Sequence, residues 1–349
     1  MIIHITELKQ GQRLSSDTFN SSGVPLLKKG VNIKEDDITL LLRHKVEYID
    51  IEAKEDSQPV AADMIAITGL SPALKEKINR SIDAYQSIFL ESLTKGKFNA
   101  AVVDELLQPL LLDLDAQKDV VALLLNLEKE DDHLYSHSLK VGLLSYYIAE
   151  WLDYSKHDCY RISKAGYLHD IGKSRLPSIL RSHPEQLNDS EFKEYKNHTT
   201  YGYDIIMESM NDKVTASVAL QHHERGDGSG YPNRLYKRGI HPFTQIVSVA
   251  DVFVNMTASK NQQNKQGFVS VLQSIYELGF SKLNEKPVQA LIHHLAPNLI
   301  GKKVQLTNGE QGTIILNNPL DIFRPLVQID DQFVDLTKVR ELHIEEIFV

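Results

Sequence analysis

Seven residues constrain this chain more than any other feature: His137, His169, Asp170, His198, His222, His223 and Asp251. Each lies where the surrounding apolar pattern points it inward. Val141, Leu144 and Ile148 follow His137 at offsets of four, seven and eleven, so the histidine shares the buried face of a helix. Ile162, Ala165 and Gly166 lead to His169, and Phe192, Tyr195, Gly202 and Ile205 bracket His198. Val214 and Val218 lead to His222, and Val247 with Ala250 leads to Asp251. One inward histidine is usually a core residue satisfied by a single hydrogen bond. Five helices that each aim an imidazole or a carboxylate inward would crowd a dry core with uncompensated polar groups. A metal compensates them, and imidazole with carboxylate is a ligand set that first-row metals take.

The spacing adds chemistry to this ligand set. Adjacent His169 and Asp170 at a helix end let the imidazole bind one metal while the carboxylate bridges to a second. Two neighbouring metals lower the pKa of a shared water, orient it, and neutralise a phosphoryl group during in-line displacement. A histidine-rich site favours iron, manganese or zinc over magnesium. Lys173, one helical turn past His169, can set an ammonium against a phosphate oxygen or leaving group. The segment HHERGDGSGYP runs from His222 to Pro232, and its three glycines, Gly226, Gly228 and Gly230, allow close backbone approach. Within it Arg225 offers a phosphate fork and Tyr231 a stacking or hydrogen-bonding surface. The catalytic expectation falls on Asp170 and Lys173, and the substrate-contact expectation on Lys173, Arg225 and Tyr231.

The expected fold is mainly α: an all-helical core flanked by a small N-terminal α+β module and a small C-terminal β module. The boundaries read as 1–53 for the first module, 54–68 for a charged, apolar-poor linker, 69–299 for the core and 300–349 for the β module. In the first module, 19–27 and 46–51 read as strands, with Ser21-Ser22-Gly23 as a turn and a short helix near 35–44. Core helices are expected at 74–93, 104–114, 119–127, 134–152, 160–171, 189–210, 214–223, 244–257, 268–278 and 287–295. The last segment alternates in the strand sense at 303–306, 312–316, 326–329 and 333–336, with Asn308-Gly309 as a hairpin turn.

A net charge of −9 over 349 residues argues against a duplex nucleic-acid binder, since such affinity comes from Lys and Arg on phosphates. It leaves room for a small anionic substrate in a locally positive pocket. The sole cysteine, Cys159, excludes an internal disulfide and a Cys-rich zinc site, and reads as a small apolar helix residue. No apolar run reaches the roughly 18 to 20 residues that span a bilayer, and the opening MIIHITELKQGQ has no basic leader. The expected location is cytoplasmic, away from membrane. The amphipathic helix at 74–93 could serve the seam of a homodimer. His4, His44, His157, His183, His241, His293, His294 and His343 show no partner pattern and read as structural or surface residues.

LHDIGK around His169-Asp170, with HHERGDGSGYP downstream, closely resembles the HD-GYP subgroup of HD-domain phosphohydrolases. YSHS at His137, KNHTTYG at His198 and VADVF at Asp251 match too, so the resemblance covers about residues 115–290. It implies an all-helical HD domain with two or three divalent metals, iron or manganese. It also implies a cyclic di-GMP phosphodiesterase that uses a metal-bridged hydroxide to form pGpG, often continuing to GMP. Gly230-Tyr231-Pro232 would shape substrate access and contact GGDEF diguanylate cyclases. His133 lies where some members place a glutamate that helps bind a third metal, and is taken as an extra ligand. Two departures stand out. Val254 replaces the family's second aspartate after Asp251, and Ser259-Lys260-Asn261-Gln262-Gln263 replaces a basic-aromatic substrate-contacting run. These departures motivate two alternatives: a catalytically weak cyclic di-GMP sensor or cyclase-docking module, or a hydrolase of a different nucleotide.

Overall fold

The structure is a computed structural model. It describes residues 2–4, 8, 11–15, 18–19, 25–44, 46, 48–51, 71–114, 119–128, 134–182, 186–258, 267–319 and 321–348. The chain divides into two compact units, Met1–Ile65 and Ala66–Val349. The first contains β1 (Ile2–His4), β2 (Thr18–Phe19), β3 (Pro25–Leu27), α1 (Glu35–Arg43) and β4 (Tyr48–Asp50). β1 pairs antiparallel with β4, and β2 with β3. Leu8, Leu14, Ile33, Leu41, Ile49 and Ile51 close its small core. The turn expected at Ser21-Ser22-Gly23 and the linker expected at 54–68 lie outside the described residues.

The second unit opens with α2 (Pro72–Lys95), α3 (Ala100–Leu114), α4 (Val120–Glu128), α5 (Leu134–Trp151) and α6 (Lys156–Leu168). Local chemistry sets their ends. Ser71 Oγ accepts from Leu74 N at the start of α2, and Gly96 ends that helix at φ +74°. Ser155 caps α6 through Asp158 N. α5 is apolar almost all round and is the central helix, with Val141, Leu143, Leu144 and Ile148 fully buried. Gly142 and Gly166 let α5 and α6 approach closely: a Cβ on Gly142 would lie 3.0 Å from Ser163 O, and one on Gly166 2.9 Å from Ser145 Oγ.

A 3-10 turn at Ile171–Arg175 follows, then α7 (Ser178–Ser182), α8 (Asp189–Tyr195), α9 (His198–Met210), α10 (Lys213–Gln221), α11 (Pro242–Thr257), α12 (Phe268–Leu278) and α13 (Glu285–Leu295). The single helix expected at 189–210 is two helices, and the reason is local. His198 Nδ1 takes the Tyr195 carbonyl at 2.6 Å, so Thr199 N bonds instead to Lys196 O and Asn197 N to Glu194 O. The ladder tightens for one turn and restarts at His198. Likewise, the helix expected to run through 171 ends at Leu168, with His169 as its C-cap.

The C-terminal strands β5 (Lys303–Leu306), β6 (Gln311–Leu316), β7 (Leu326–Ile329), β8 (Gln332–Asp335) and β9 (Ile344–Phe348) form one antiparallel sheet in the order β8-β7-β6-β5-β9. The sequence reading missed β9, which pairs along β5. Val304, Leu306, Ile314, Val327, Ile344 and Ile347 join the same core cluster as the helices. Sheet and helices therefore make one compact unit. No helix among the described residues is long and apolar enough to cross a membrane.

Cys159 is fully buried in α6, and burial pushes its thiol up to about 11. A disulfide reagent at pH 8 should find no reactive thiol in the native protein and one per chain in denaturant. Rapid native modification would contradict this packing.

Candidate metal centre

Helix ends converge on one buried point. His137 stands in the first turn of α5, His169 caps α6, His198 opens α9, His222 caps α10 with His223 next to it, and Asp251 lies within α11. Asp170 follows His169 at the head of the 3-10 turn. His169, Asp170, His198, His222 and Asp251 are buried, and His137 and His223 are half-buried.

The ligand-type atoms form two groups, each gathered within 4.8 Å: Asp170, His198, His222 and His223 in one, His137, His169 and Asp251 in the other. Asp170 stands between them. Its Oδ1 lies 3.5 Å from His198 Nε2 and 3.6 Å from His222 Nε2. Its Oδ2 lies 3.3 Å from His169 Nε2 and 3.9 Å from His137 Nε2. Asp251 Oδ1 is 3.1 Å from His137 Nε2 and 3.5 Å from His169 Nε2.

Three of the rings are held by the same device. His169 Nδ1 meets Gly166 O at 2.6 Å, His198 Nδ1 meets Tyr195 O at 2.6 Å, and His222 Nδ1 meets Ala219 O at 2.8 Å. A carbonyl only accepts, so each Nδ1 carries the proton and each Nε2 keeps its lone pair when the ring is neutral. The Nε2 atoms of His169, His198, His222 and His223, together with Asp170 Oδ1, are buried without a hydrogen-bond partner. Such unpartnered polar atoms are costly in a protein core. This donor set fits divalent metals that prefer nitrogen and carboxylate oxygen.

Electrostatics differ between the two groups. Burial opposes ionisation of Asp170, yet Lys173 and His169 beside it hold the carboxyl well below the usual range. Asp251 is also held well down against burial, by His137 and His169. Burial would lower His169, but Asp170 and Asp251 raise it to about 10. Burial prevails in the other group, taking His198 down to about 3, lowering His222, and carrying His223 well below its ordinary value.

Outer residues brace this arrangement. Lys173 Nζ donates to Asp170 Oδ2 at 2.5 Å. Asn255 Nδ2, one turn beyond Asp251 on α11, donates to Asp251 Oδ1 at 2.8 Å. Gly172 admits α9: a Cβ there would fall 1.9 Å from His198 O and 2.3 Å from Gly202 N. The loop after His223 is organised by Glu224, buried at 1 % exposure, whose carboxylate accepts from Asn233 N at 2.6 Å and Leu235 N at 2.8 Å. A Cβ on Gly230 would sit 2.4 Å from both Arg225 N and His223 O. Tyr231 packs its ring 4.7 Å from His223.

Seven of the eight expected ligand residues come together here. Lys173 reaches them directly, and Tyr231 packs beside His223. Arg225 is committed in part to its own loop, with Nη1 donating to His222 O at 3.0 Å and Glu224 O at 2.8 Å. His133 lies outside the described residues, as does Ser259-Lys260-Asn261-Gln262-Gln263. Val254 is buried in the core at 2 % exposure. The sequence reading missed Glu224 and Asn255. The signal for Asn255 was its i+4 spacing from Asp251; for Glu224 it was a charge inside an otherwise turn-forming segment. Three of the remaining histidines have structural partners: His241 Nδ1 accepts from Phe243 N at 3.2 Å to cap α11, His294 stacks on Trp151 at 4.7 Å, and His343 Nδ1 lies 3.3 Å from Arg324 Nη2.

Residues 120–278 match the HD domain family. The metal-ligand constellation built on helix ends is therefore that of an HD-domain protein. Over 249 residues the chain is 31% identical to a cyclic di-GMP phosphodiesterase of Thermotoga maritima, covering 69% of this chain and 66% of that protein. It thus spans about two thirds of that relative's length. It is 24% identical over 349 residues to a cyclic di-GMP phosphodiesterase of Pseudomonas aeruginosa, covering 94% of this chain and 84% of the relative. An HDG'Y'P protein from Bdellovibrio bacteriovorus shares the fold, with a TM-score of 0.53 at 15% identity over 83% of this chain and 97% of that one. The chain belongs to the HD-GYP family.

Asp170 joins the two groups, so Asp170→Ala should lower metal occupancy of both, seen as loss of more than one equivalent by elemental analysis of reconstituted protein. Loss confined to one group would contradict the shared position. Gly172→Ala should cost about 2 kcal/mol or more through overpacking against α9, read as a lowered urea midpoint. An unchanged midpoint would contradict the close approach.

Proposed function

We propose that this protein is a metal-dependent phosphodiesterase that opens cyclic di-GMP to linear pGpG and carries the product on to GMP. The observation that carries this reading is the Asp170 carboxylate set among the buried, unpartnered Nε2 atoms of His169, His198, His222 and His223, with His137 and Asp251 completing a second group beside it. The names of the Thermotoga and Pseudomonas relatives support the substrate. Asp170, His198, His222 and His223 would hold one metal, and His137, His169 and Asp251 a second with Asp170 shared between them. Bound iron or manganese would supply Lewis acidity toward a phosphoryl oxygen and a water of lowered pKa.

The chain's own residues set the stage for that chemistry. Lys173 keeps Asp170 ionised and brings a positive charge to the place where a phosphodiester must sit. The Nδ1 bonds to main-chain carbonyls fix three rings before any ligand arrives, which limits the ordering cost at binding. Tyr231, supported by the Glu224-braced loop, forms a wall beside His223. The exposed Pro232 and half-buried Tyr231 offer a contact for a diguanylate cyclase, and the reading places the protein in the cytoplasm. A second reading, a cyclic di-GMP sensor with weak turnover, is favoured by Val254 in place of the family's second aspartate.

Protein reconstituted anaerobically with iron or manganese should convert cyclic di-GMP to pGpG and GMP, resolved by chromatography. Chelation should abolish turnover, and Lys173→Gln should reduce it roughly 10- to 100-fold, the range for a group supporting a metal ligand. Full metal occupancy without product would instead support the sensor.

A further inference from the structure

A path of aromatic contacts leads from the metal ligands to solvent. The His223 ring lies 4.7 Å from Tyr231, and Tyr231 lies 6.4 Å from Phe192 at 79° between planes. Phe192 is 40 % exposed on α8. Beneath it Tyr195 runs nearly parallel, at 6.2 Å and 12°. Lys196 Nζ sits 4.5 Å from the Phe192 centroid and 5.4 Å from that of Tyr231. It makes no ion pair with a carboxylate among the described residues. The other two cations at the centre are committed, Lys173 to Asp170 and Arg225 in part to backbone carbonyls. The segment following α11, Ser259-Lys260-Asn261-Gln262-Gln263, holds one lysine and no aromatic residue.

We infer that Phe192 and Lys196 form a purine-nucleotide clamp at the entrance to the metal centre, Phe192 stacking the base and Lys196 pairing with a phosphate oxygen. A half-exposed ring gains contact area when a purine covers it, and the neighbouring ammonium serves both ring faces and an anionic phosphate. Lys196 lies two residues ahead of His198 and Phe192 six, so a base held there brings its phosphate toward the buried imidazoles. Break and clamp are linked: the tightened turn at Lys196 and Asn197 that seats His198 also sets Lys196 beside Phe192 and Tyr231. This inference rests on the phosphodiesterase reading for the reaction, though not for the binding of a purine nucleotide.

The test combines cyclic di-GMP kinetics with equilibrium binding of GMP to the metal-loaded protein, in wild type and in Phe192→Ala, Phe192→Trp, Lys196→Gln and Lys196→Arg. Phe192→Ala should raise both KM and the GMP Kd roughly tenfold or more, with kcat and metal content near wild type, and Phe192→Trp should retain binding. Lys196→Gln should weaken GMP and flatten the salt dependence of its binding, while Lys196→Arg restores both. Unchanged KM and Kd in Phe192→Ala and Lys196→Gln would overturn the clamp and leave the phosphodiesterase reading intact. So would equal losses of stability in all four variants with no change in binding by the folded fraction. Wild type that binds GMP through this pair but does not cleave cyclic di-GMP would keep the clamp and overturn the phosphodiesterase reading. Absence of both GMP binding and turnover would overturn both.

Discussion

The carboxylate of Asp170 holds a negative charge where it is almost wholly shielded from water, and the surrounding residues follow from that requirement. A buried carboxylate is stable only when paired and hydrogen-bonded. Lys173 provides the ion pair at one oxygen, and imidazoles from α6, α9 and α10, with His137 of α5, surround both. Gly172 and Gly202 bring the start of α9 close enough for His198 to take part. The tight approach of α5 to α6 at Gly142 and Gly166 does the same for His137 and His169. The packing glycines and the ligands thus belong to one construction.

A repeated local bond makes this construction possible. At His169, His198 and His222 the ring turns back onto the carbonyl three residues earlier. Each such bond takes up a helix-end carbonyl that the ladder leaves free, or diverts one from it, and directs Nε2 to the centre. Helix termination and ligand orientation are therefore the same event. That is why the ligands gather at helix ends, with only Asp251 held mid-helix and steadied by Asn255.

Much of this was legible in the sequence. Apolar residues at helical offsets placed His137, His169, His198, His222 and Asp251 on inward faces, and the ligand set implied metal. The strands β5 and β7 were read to the residue, because alternation over a half-buried sheet leaves a period of two. What periodicity could not register was a break made by a side chain. The pattern from 189 to 210 stays helical through the point where the His198 ring diverts the Tyr195 carbonyl. Glu224 and Asn255 escaped notice because a polar residue that braces a ligand looks, in sequence, like one that faces solvent. Strand β9 was invisible for another reason: its burial pattern, with two exposed glutamates, does not alternate.

Anomalous scattering from manganese-loaded crystals tests the central claim most directly. Two peaks per chain are expected, both in contact with Asp170, one bounded by His137, His169 and Asp251 and the other by His198, His222 and His223. A single peak, or a pair of peaks that leaves Asp170 outside the coordination of either, would contradict a centre built around that carboxylate.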